Sequence, residues 1–130
     1  MSADLPEAIL ERLTASPLKA FDSPPPTTTA TPYAVVYFDG GPYSSDRECD
    51  SRVRRDHGWQ TVTVGSSAAQ VRAARERLVS ALSDWVPAVS GRTVSKVDHE
   101  GTQPARPDPE MPDRTLYIAT DQWRAVSDPV

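Results

Sequence analysis

Residues that could act as nucleophiles or metal ligands are few in this chain of 130 residues, which has one cysteine and two histidines. Cys49 and His57 lie in the same polar segment, and His99 is far from both along the sequence. A zinc site needs three or four ligands, and a catalytic thiol needs a base that a third group orients. The sequence supplies neither set. We therefore predict no catalytic residue, no metal and no cofactor, and we interpret His99 as a surface histidine near a strand end.

Acidic residues alternate in the same polar segment, as the first ligands of a calcium loop do. Asp46, Glu48 and Asp50 have the spacing of the first three ligands. However, Ser51 stands where such a loop requires glycine, and His57 stands where it requires a bidentate glutamate. We expect a solvated surface loop here and no calcium site.

The arginines of this segment are its remaining candidate contacts. Residues 40–58, GGPYSSDRECDSRVRRDHG, form a long polar stretch in which four acidic residues balance four arginines. A loop of this length in a small domain is usually functional or disordered. Guanidinium groups bind carboxylates and phosphates through paired hydrogen bonds. The arginines that we predict to contact a partner are Arg47, Arg52, Arg54 and Arg55.

Charge and hydropathy exclude several classes of protein. The formal net charge is −4, and the arginines are interleaved with acids, so no nucleic-acid-binding face is expected. A single cysteine excludes an intrachain disulfide framework and fits a reducing compartment. The N-terminus, MSADLPEA, lacks the basic and apolar regions of a signal peptide. The longest clean apolar run, residues 34–38, is far shorter than the ~20 residues that span a bilayer. We expect a soluble protein made inside the cell, without a membrane partner.

Residues 59–85, WQTVTVGSSAAQVRAARERLVSALSDW, carry the clearest structural pattern. Valines alternate with threonines in its first part, which predicts a half-buried strand. After a Gly-Ser break, Ser67 and Gln70 have the spacing of a capping box, which predicts a helix start. Pro87 should stop this helix. The apolar residues that recur on one helical stripe are Val71, Ala74, Leu78, Leu82 and Trp85.

Shorter patterns predict the other elements. A first helix is predicted to follow Asp4, which has capping-box spacing with Glu7, and to end before Pro17. Its apolar stripe is Leu5, Ile9 and Leu13. The further predicted strands are residues 33–39, 93–100 and 115–126. The predicted irregular segments are an extended proline-rich connector at 22–32, a second long loop at 101–114 and a frayed end at 127–130.

The predicted order, α-β-β-α-β-β, defines one domain over residues 1–130. We predict an α+β fold of two layers, in which two helices pack on a sheet of about four mostly antiparallel strands. Both faces of the strand YAVVYF are apolar, although two helices can cover only one face of the sheet. The other face must pack on long loops or meet another chain. We therefore predict subunit contacts at Tyr33, Val35 and Tyr37.

Four segments together give the chain a family resemblance. They are the strand YAVVYF, the strand and helix WQTVTVGSSAAQVRAARERLVSALSDW, the segment VSGRTVSKVD, and, after a Pro/Asp-rich loop, the closing strand TLYIATDQWRAVS. In order and spacing this pattern resembles the tail terminator proteins of long-tailed phages, the family that includes minor tail protein U of lambdoid phages. The similarity runs over nearly the whole chain. The Thr/Pro-rich residues 22–32 match no family feature.

The resemblance implies a structural role in the virion. Subunits of this family form a hexameric ring on the last ring of the tail tube, stop tube polymerisation and offer a surface to the head-completion complex. The implied partners are further copies of the chain, the tail tube protein and a head-completion or stopper protein. The implied location is the tail or neck, with assembly in the host cytoplasm. The family has no catalytic residues to carry over.

Three alternatives remain open at this point. A head-completion or stopper subunit of the same neck region differs from a terminator in its partner, filled heads instead of tail tubes. A small enzyme would need a phosphate loop, a metal cluster or a triad, none of which the sequence shows. A nucleic-acid-binding module would need a basic face with stacking aromatic residues and would bind in a strongly salt-dependent way.

Overall fold

A computed structural model of the chain describes residues 4–23, 30–38, 54–108 and 116–130. The helices in these ranges are α1 (Leu5–Ala15) and α2 (Ala68–Leu82). The strands are β1 (Ala20–Asp22), β2 (Tyr33–Phe38), β3 (Arg55–Gly65), β4 (Ala88–Val89), β5 (Arg92–Val94), β6 (Asp98–Pro107) and β7 (Tyr117–Pro129).

Helix α1 begins where the capping pattern predicts. The Asp4 carboxylate accepts a hydrogen bond of 2.9 Å from the Glu7 amide, which satisfies an amide that no helical carbonyl can reach. The helix ends at Ala15, before Pro17, as predicted. Its buried stripe consists of Leu5, Ala8, Ile9 and Leu13.

Helix α2 also begins with the predicted Ser67 cap, although the return hydrogen bond from Gln70 reaches a different amide than in a capping box. The Ser67 hydroxyl accepts from the Gln70 amide at 3.1 Å. The Gln70 carboxamide oxygen accepts in turn from the Ser66 amide at 2.6 Å, one residue earlier than in a capping box. The helix ends at Leu82, five residues before Pro87.

The early end of α2 has a local cause. Ser83 has already left the helical conformation, with φ −63° and ψ 129°, and Asp84 follows with a φ of +60°. The chain therefore leaves α2 through a tight turn, in which the Trp85 amide donates to the Leu82 carbonyl at 3.3 Å. The chain then turns toward Val97, whose amide donates to the Trp85 carbonyl at 2.8 Å and whose carbonyl accepts from the Asp84 amide at 3.1 Å. Trp85, predicted to continue the helical stripe, therefore packs on the core from the following turn.

Two long strands form the centre of the sheet. β3 and β7 pair antiparallel along their whole shared length, from Arg55 opposite Ser127 to Gly65 opposite Tyr117. β2 pairs antiparallel with the outer edge of β3, and β1 lies parallel to β2. On the other side of β7, β5 pairs with its last residues and β6 with its earlier ones. β4 then pairs with β5.

The prediction of about four strands is wrong, because the described residues form a curled, mixed sheet of seven strands, a half-barrel within an α+β fold. Three of the additional strands have only two or three residues, too few to show periodicity. The predicted strand at 93–100 is divided between β5 and β6, and β6 includes residues 101–107 of a predicted loop. β2 pairs with β3 and β6 pairs with β7, both antiparallel, as expected for the mostly antiparallel sheet that the sequence predicts.

Two further segments differ from the predictions. β3 begins at Arg55, so residues 55–58 belong to a strand and not to the predicted loop. The predicted fraying after residue 126 is wrong, since β7 continues to Pro129 and Ser127 is buried. Pairing with β5 explains this extension, because it gives the end of β7 a hydrogen-bonded neighbour on each side.

The two faces of the sheet carry separate apolar clusters. Helices α1 and α2 cover one face, where Trp59 and Trp123 join the buried helix residues. The opposite, helix-free face carries a second cluster, which includes Tyr33, Val35 and Val64. The doubly buried strand predicted at 33–39 is therefore confirmed for β2. Neither of the described helices is long and apolar enough to cross a membrane.

Candidate interaction surface

The helix-free face of the sheet is divided into two halves of different character. Near the Tyr33 end of β2 it carries the second apolar cluster, in which Val35 is 1% exposed. Toward the other end the paired positions become polar, with Tyr37 opposite Gln60 and Gln60 opposite Gln122. Since paired residues of antiparallel strands point to the same face, these side chains share one surface.

This polar half is an open groove with a volume of about 640 Å³. Its lining residues are Tyr37, Phe38, Asp56, Gly58, Trp59, Gln60, Glu100, Gln122, Trp123 and Arg124. Gly58, the fourth residue of β3, leaves the backbone uncovered on this face. A Cβ at this position would meet only the Trp123 carbonyl oxygen, 4.0 Å away. The Gln122 amide donates to the Gln60 carboxamide oxygen at 2.8 Å across the groove.

An ion pair between β3 and β7 forms one wall of the groove. Arg124 donates from Nε to Asp56 Oδ1 at 2.7 Å and from a terminal nitrogen to Oδ2. These hydrogen bonds hold the pKa of Asp56 below its ordinary value and raise the pKa of Arg124. The charges of Glu100 and Asp98 also raise the pKa of Arg124, which means that both carboxylates lie near this guanidinium. The groove wall thus has more acidic than basic groups.

A basic cluster surrounds Ser127 on the opposite, helix-covered face of the same two strands. Arg92 donates from Nε to Ser127 Oγ at 2.8 Å and from a terminal nitrogen to the Ser127 carbonyl at 3.0 Å. His57 Nε2 is 2.8 Å from the same hydroxyl. Burial is the main cause that lowers the pKa of His57, and the charges of Arg92 and Arg55 lower it further. His57 is therefore neutral at pH 7, and its Nε2 can accept a hydrogen bond from the Ser127 hydroxyl.

A serine hydroxyl next to a neutral histidine supplies two of the three groups of a hydrolytic triad, so the pair needs a chemical test. Ser127 is 1% exposed, and its oxygen already accepts from Arg92. A buried hydroxyl held between two strand neighbours has no path to a substrate carbonyl. We interpret the contact of His57, Ser127 and Arg92 as a structural link between β3, β5 and β7.

A buried carboxylate anchors the covered face of the sheet. The Asp121 side chain is fully buried and receives three contacts of 2.8 to 3.1 Å from the Arg75 guanidinium of α2. His99 Nε2 of β6 lies 2.7 Å from Asp121 Oδ1, and its ring stacks on Trp123 with centroids 4.5 Å apart. Trp123 donates from Nε1 to Thr61 Oγ1 at 2.9 Å. One network therefore joins α2, β6, β7 and β3.

The predicted contact residues have different positions in the structure. Tyr33 and Val35 are buried within the chain, and Tyr37 lines the groove. Arg54 forms a bidentate pair with Asp128, at 2.8 and 3.1 Å, which raises the pKa of Arg54 and lowers that of Asp128. Arg55 begins β3 beside the basic cluster. Their roles in assembly remain predictions.

Other predicted positions lie outside the described residues. These are residues 24–29 of the predicted connector, residues 40–53 of the first long loop, and residues 109–114 of the second. The first loop includes Arg47, Cys49, Arg52 and the alternating acids at 46, 48 and 50. Among the described residues, no group of three or more His, Cys, Asp or Glu side chains is arranged to hold a metal ion.

The sequence interpretation did not identify Asp121 or the role of His99, which we described as a surface histidine. Asp121 is in phase with Ala119, Trp123 and Ala125, all buried on the covered face of β7. A carboxylate at such a position must find a cationic partner. The alternation of residues along β7 therefore contained a signal in the sequence for a buried ion pair at Asp121.

Comparisons with known proteins identify the fold. No family model and no curated protein matches the sequence, but nine chains of solved structures do. One belongs to the "Virion of native gene transfer agent (GTA) particle", with a TM-score of 0.68 and 17% identity over 92% of this chain and 91% of that chain. Another solved chain, of no stated function, has a TM-score of 0.62 and 16% identity over 95% and 92%. This chain therefore shares its fold with a subunit found in a virion particle.

Proposed function

We propose that the chain is a structural subunit of a phage or phage-like virion. The observation that carries this proposal is the fold shared with a chain of a gene transfer agent virion, over 92% of this chain and 91% of that one. Since a common fold does not fix function, the resemblance in the strand and helix segments quoted above is a second, independent support.

Within this class the proposed role is that of a tail terminator. The chain forms a ring, a hexamer by resemblance, that caps the tail tube, stops its polymerisation and joins the tail to the head-completion complex. Its partners are then other copies of itself, the tube protein and a head-completion or stopper protein. The two unlike faces of the domain support a ring, because a cyclic assembly repeats a contact between two different patches.

The second candidate is a head-completion or stopper subunit of the same neck. The helix-free face, with its open groove of about 640 Å³, suits a contact with either type of partner. We further propose that the chain is not an enzyme. The Ser127–His57 pair is enclosed by Arg92, and binding, not bond cleavage, explains an open polar sheet face.

Electron microscopy of particles assembled without this protein tests the role directly. A terminator predicts overlong tails or tails without heads, and adding the purified protein should stop tube growth at one end. Filled heads that lack tails, together with free tails of normal length, would favour the stopper role. Normal, infectious or transducing particles without the protein would contradict both roles.

A further inference from the structure

The outer face of α2 and the groove lie on opposite sides of the domain. Buried residues of α2 pack on the covered face of the sheet, so its outer face points away from the helix-free side. This outer face presents two exposed arginines, Arg72 and Arg77, and one exposed acid, Glu76. Neither arginine forms an ion pair with another described residue. The other exposed side chains of this face are short, at Ala69, Ala73 and Ser80, and leave room for close approach.

The opposite side has the complementary charge. Asp98 is opposite Arg124 in the strand register, and Glu100 lines the groove. Both carboxylates are exposed, and neither forms an ion pair within the described part of the chain. Because Asp56 already neutralises Arg124, these two acids give the groove a negative excess. The bulge at Glu100, between His99 and Gly101, turns its side chain out of the regular strand pairing.

The position of the two patches determines which symmetry can use them. A two-fold dimer has a single contact surface on each copy, so the basic patch and the acidic patch would both have to lie on that surface. Patches on opposite sides of one rigid domain cannot do so. They can meet only when each copy gives its helix face to one neighbour and its groove to the other, which is the contact of a ring or an open chain.

We propose that the groove on the helix-free face binds the outer face of α2 of a second copy of this chain. Arg72 and Arg77 of one copy then pair with Asp98 and Glu100 of its neighbour, and the uncovered sheet face gains a helical layer. This inference rests on the proposed ring-forming function and assigns its subunit contact.

Charge exchange tests the contact. The helix variant carries Arg72→Glu and Arg77→Glu, the groove variant carries Asp98→Arg and Glu100→Arg, and the exchange variant carries all four and keeps the net charge of the natural chain. Sedimentation velocity measures self-association, and electron microscopy measures capping of tail tubes. Each double variant should raise the dissociation constant between copies by roughly 10- to 100-fold, and the exchange variant should restore association. Circular dichroism melts check that each variant folds.

Lys96→Glu is the control for a single Arg77→Glu variant, since it makes the same charge change at an exposed residue that lies 3.6 Å from Asp84, outside both patches. The control should associate normally. Equal loss in the control, normal association of the double variants, or no recovery in the exchange variant would each overturn the contact, even where the natural chain caps tubes. A chain that associates through these patches without capping tubes would keep the contact and overturn the terminator role. A strictly monomeric natural chain, in solution and on tubes, would overturn both.

Discussion

The carboxylate of Asp121 and the guanidinium of Arg75 form the buried ion pair that fastens α2 to the centre of the sheet. The carboxylate is fully buried, whereas the arginine side chain is 26% exposed. The two partners therefore have different alternatives when the pair is broken. Arg75 can extend into water, but Asp121 cannot leave the interior.

This asymmetry predicts unequal costs for removing each partner. Arg75→Met leaves a buried carboxylate with His99 as its remaining polar neighbour, and we expect a loss of about 3–5 kcal/mol in the free energy of unfolding. Asp121→Asn should cost less, since the remaining charge can reach solvent. Urea unfolding followed by circular dichroism gives both values. A larger loss in Asp121→Asn would contradict this account of the burial.

A second prediction concerns stability between pH 7 and pH 5. The pKa of His57 is lowered from its ordinary value of 6.5, mainly by burial and also by the charges of Arg92 and Arg55. In this window the unfolded chain binds a proton that the folded chain does not. The free energy of unfolding therefore falls as the pH falls through 6.5 toward the folded pKa of His57.

The His57→Gln variant should lose less stability than the natural chain over this window. Urea unfolding at several pH values above 5 measures the difference. The carboxylates of Asp56 and Asp128 stay ionised in this range and do not contribute to it. Asp56 and Asp128, whose pKa values lie below 3.8 in the folded chain, contribute stability that is lost only in more acidic solution. An unchanged pH dependence in the variant would show that His57 is not the group responsible.

The sequence predicted those parts of the fold that short-range physics determines. Side-chain caps and apolar stripes identified both helices, because a cap acts within one turn and a stripe repeats every three or four residues. The apolar run of β2 and the alternation of valine with threonine in β3 are equally local signals. The closest agreement is the Ser67 cap, where the predicted hydroxyl contacts the predicted amide.

The missing strands depend on contacts between distant residues. Residues 92–94 are three positions without periodicity and become a strand because they lie beside the end of β7, about 35 residues later in the chain. β6 shows no apolar alternation, because most of its residues are exposed. Its pairing with β7 and its link through His99 to Asp121 are visible only in three dimensions. The acidic groove has the same origin, since it joins β2, β3, β6 and β7.

Leu78 tests the packing of α2 on the sheet. Its side chain is completely buried in the larger core cluster, so Leu78→Asp should prevent folding by placing an unpaired charge in the core. The milder Leu78→Ala should fold with a loss of about 2–5 kcal/mol. Ser80→Asp, on the exposed side of the same helix, is the control and should melt nearly as the natural chain does. A normal melt for Leu78→Asp would contradict the packing.

The arginines of residues 52–55 provide a test of assembly. Arg54 and Asp128 form an exposed pair, and solvent screening leaves such pairs little effect on folding stability. Reversing the charges of Arg52, Arg54 and Arg55 should therefore leave a cooperative melt and reduce the yield of complete virions. Normal virion yield would show that these arginines make no required contact.

Gly65 links the two best-predicted elements, the end of β3 and the start of α2. A Cβ at this position would lie 2.8 Å from Val71 Cγ2, 3.1 Å from the Gln70 carboxamide oxygen and 3.1 Å from the Val71 amide nitrogen. Gly65→Ala must therefore push the Gln70 oxygen from the Ser66 amide or move the first turn of α2, at a cost of about 1–3 kcal/mol. Gly101→Ala, where an added Cβ meets nothing within 4 Å, should melt close to the natural chain. Equal melting temperatures for the two variants would show that the close contact between β3 and α2 is not required.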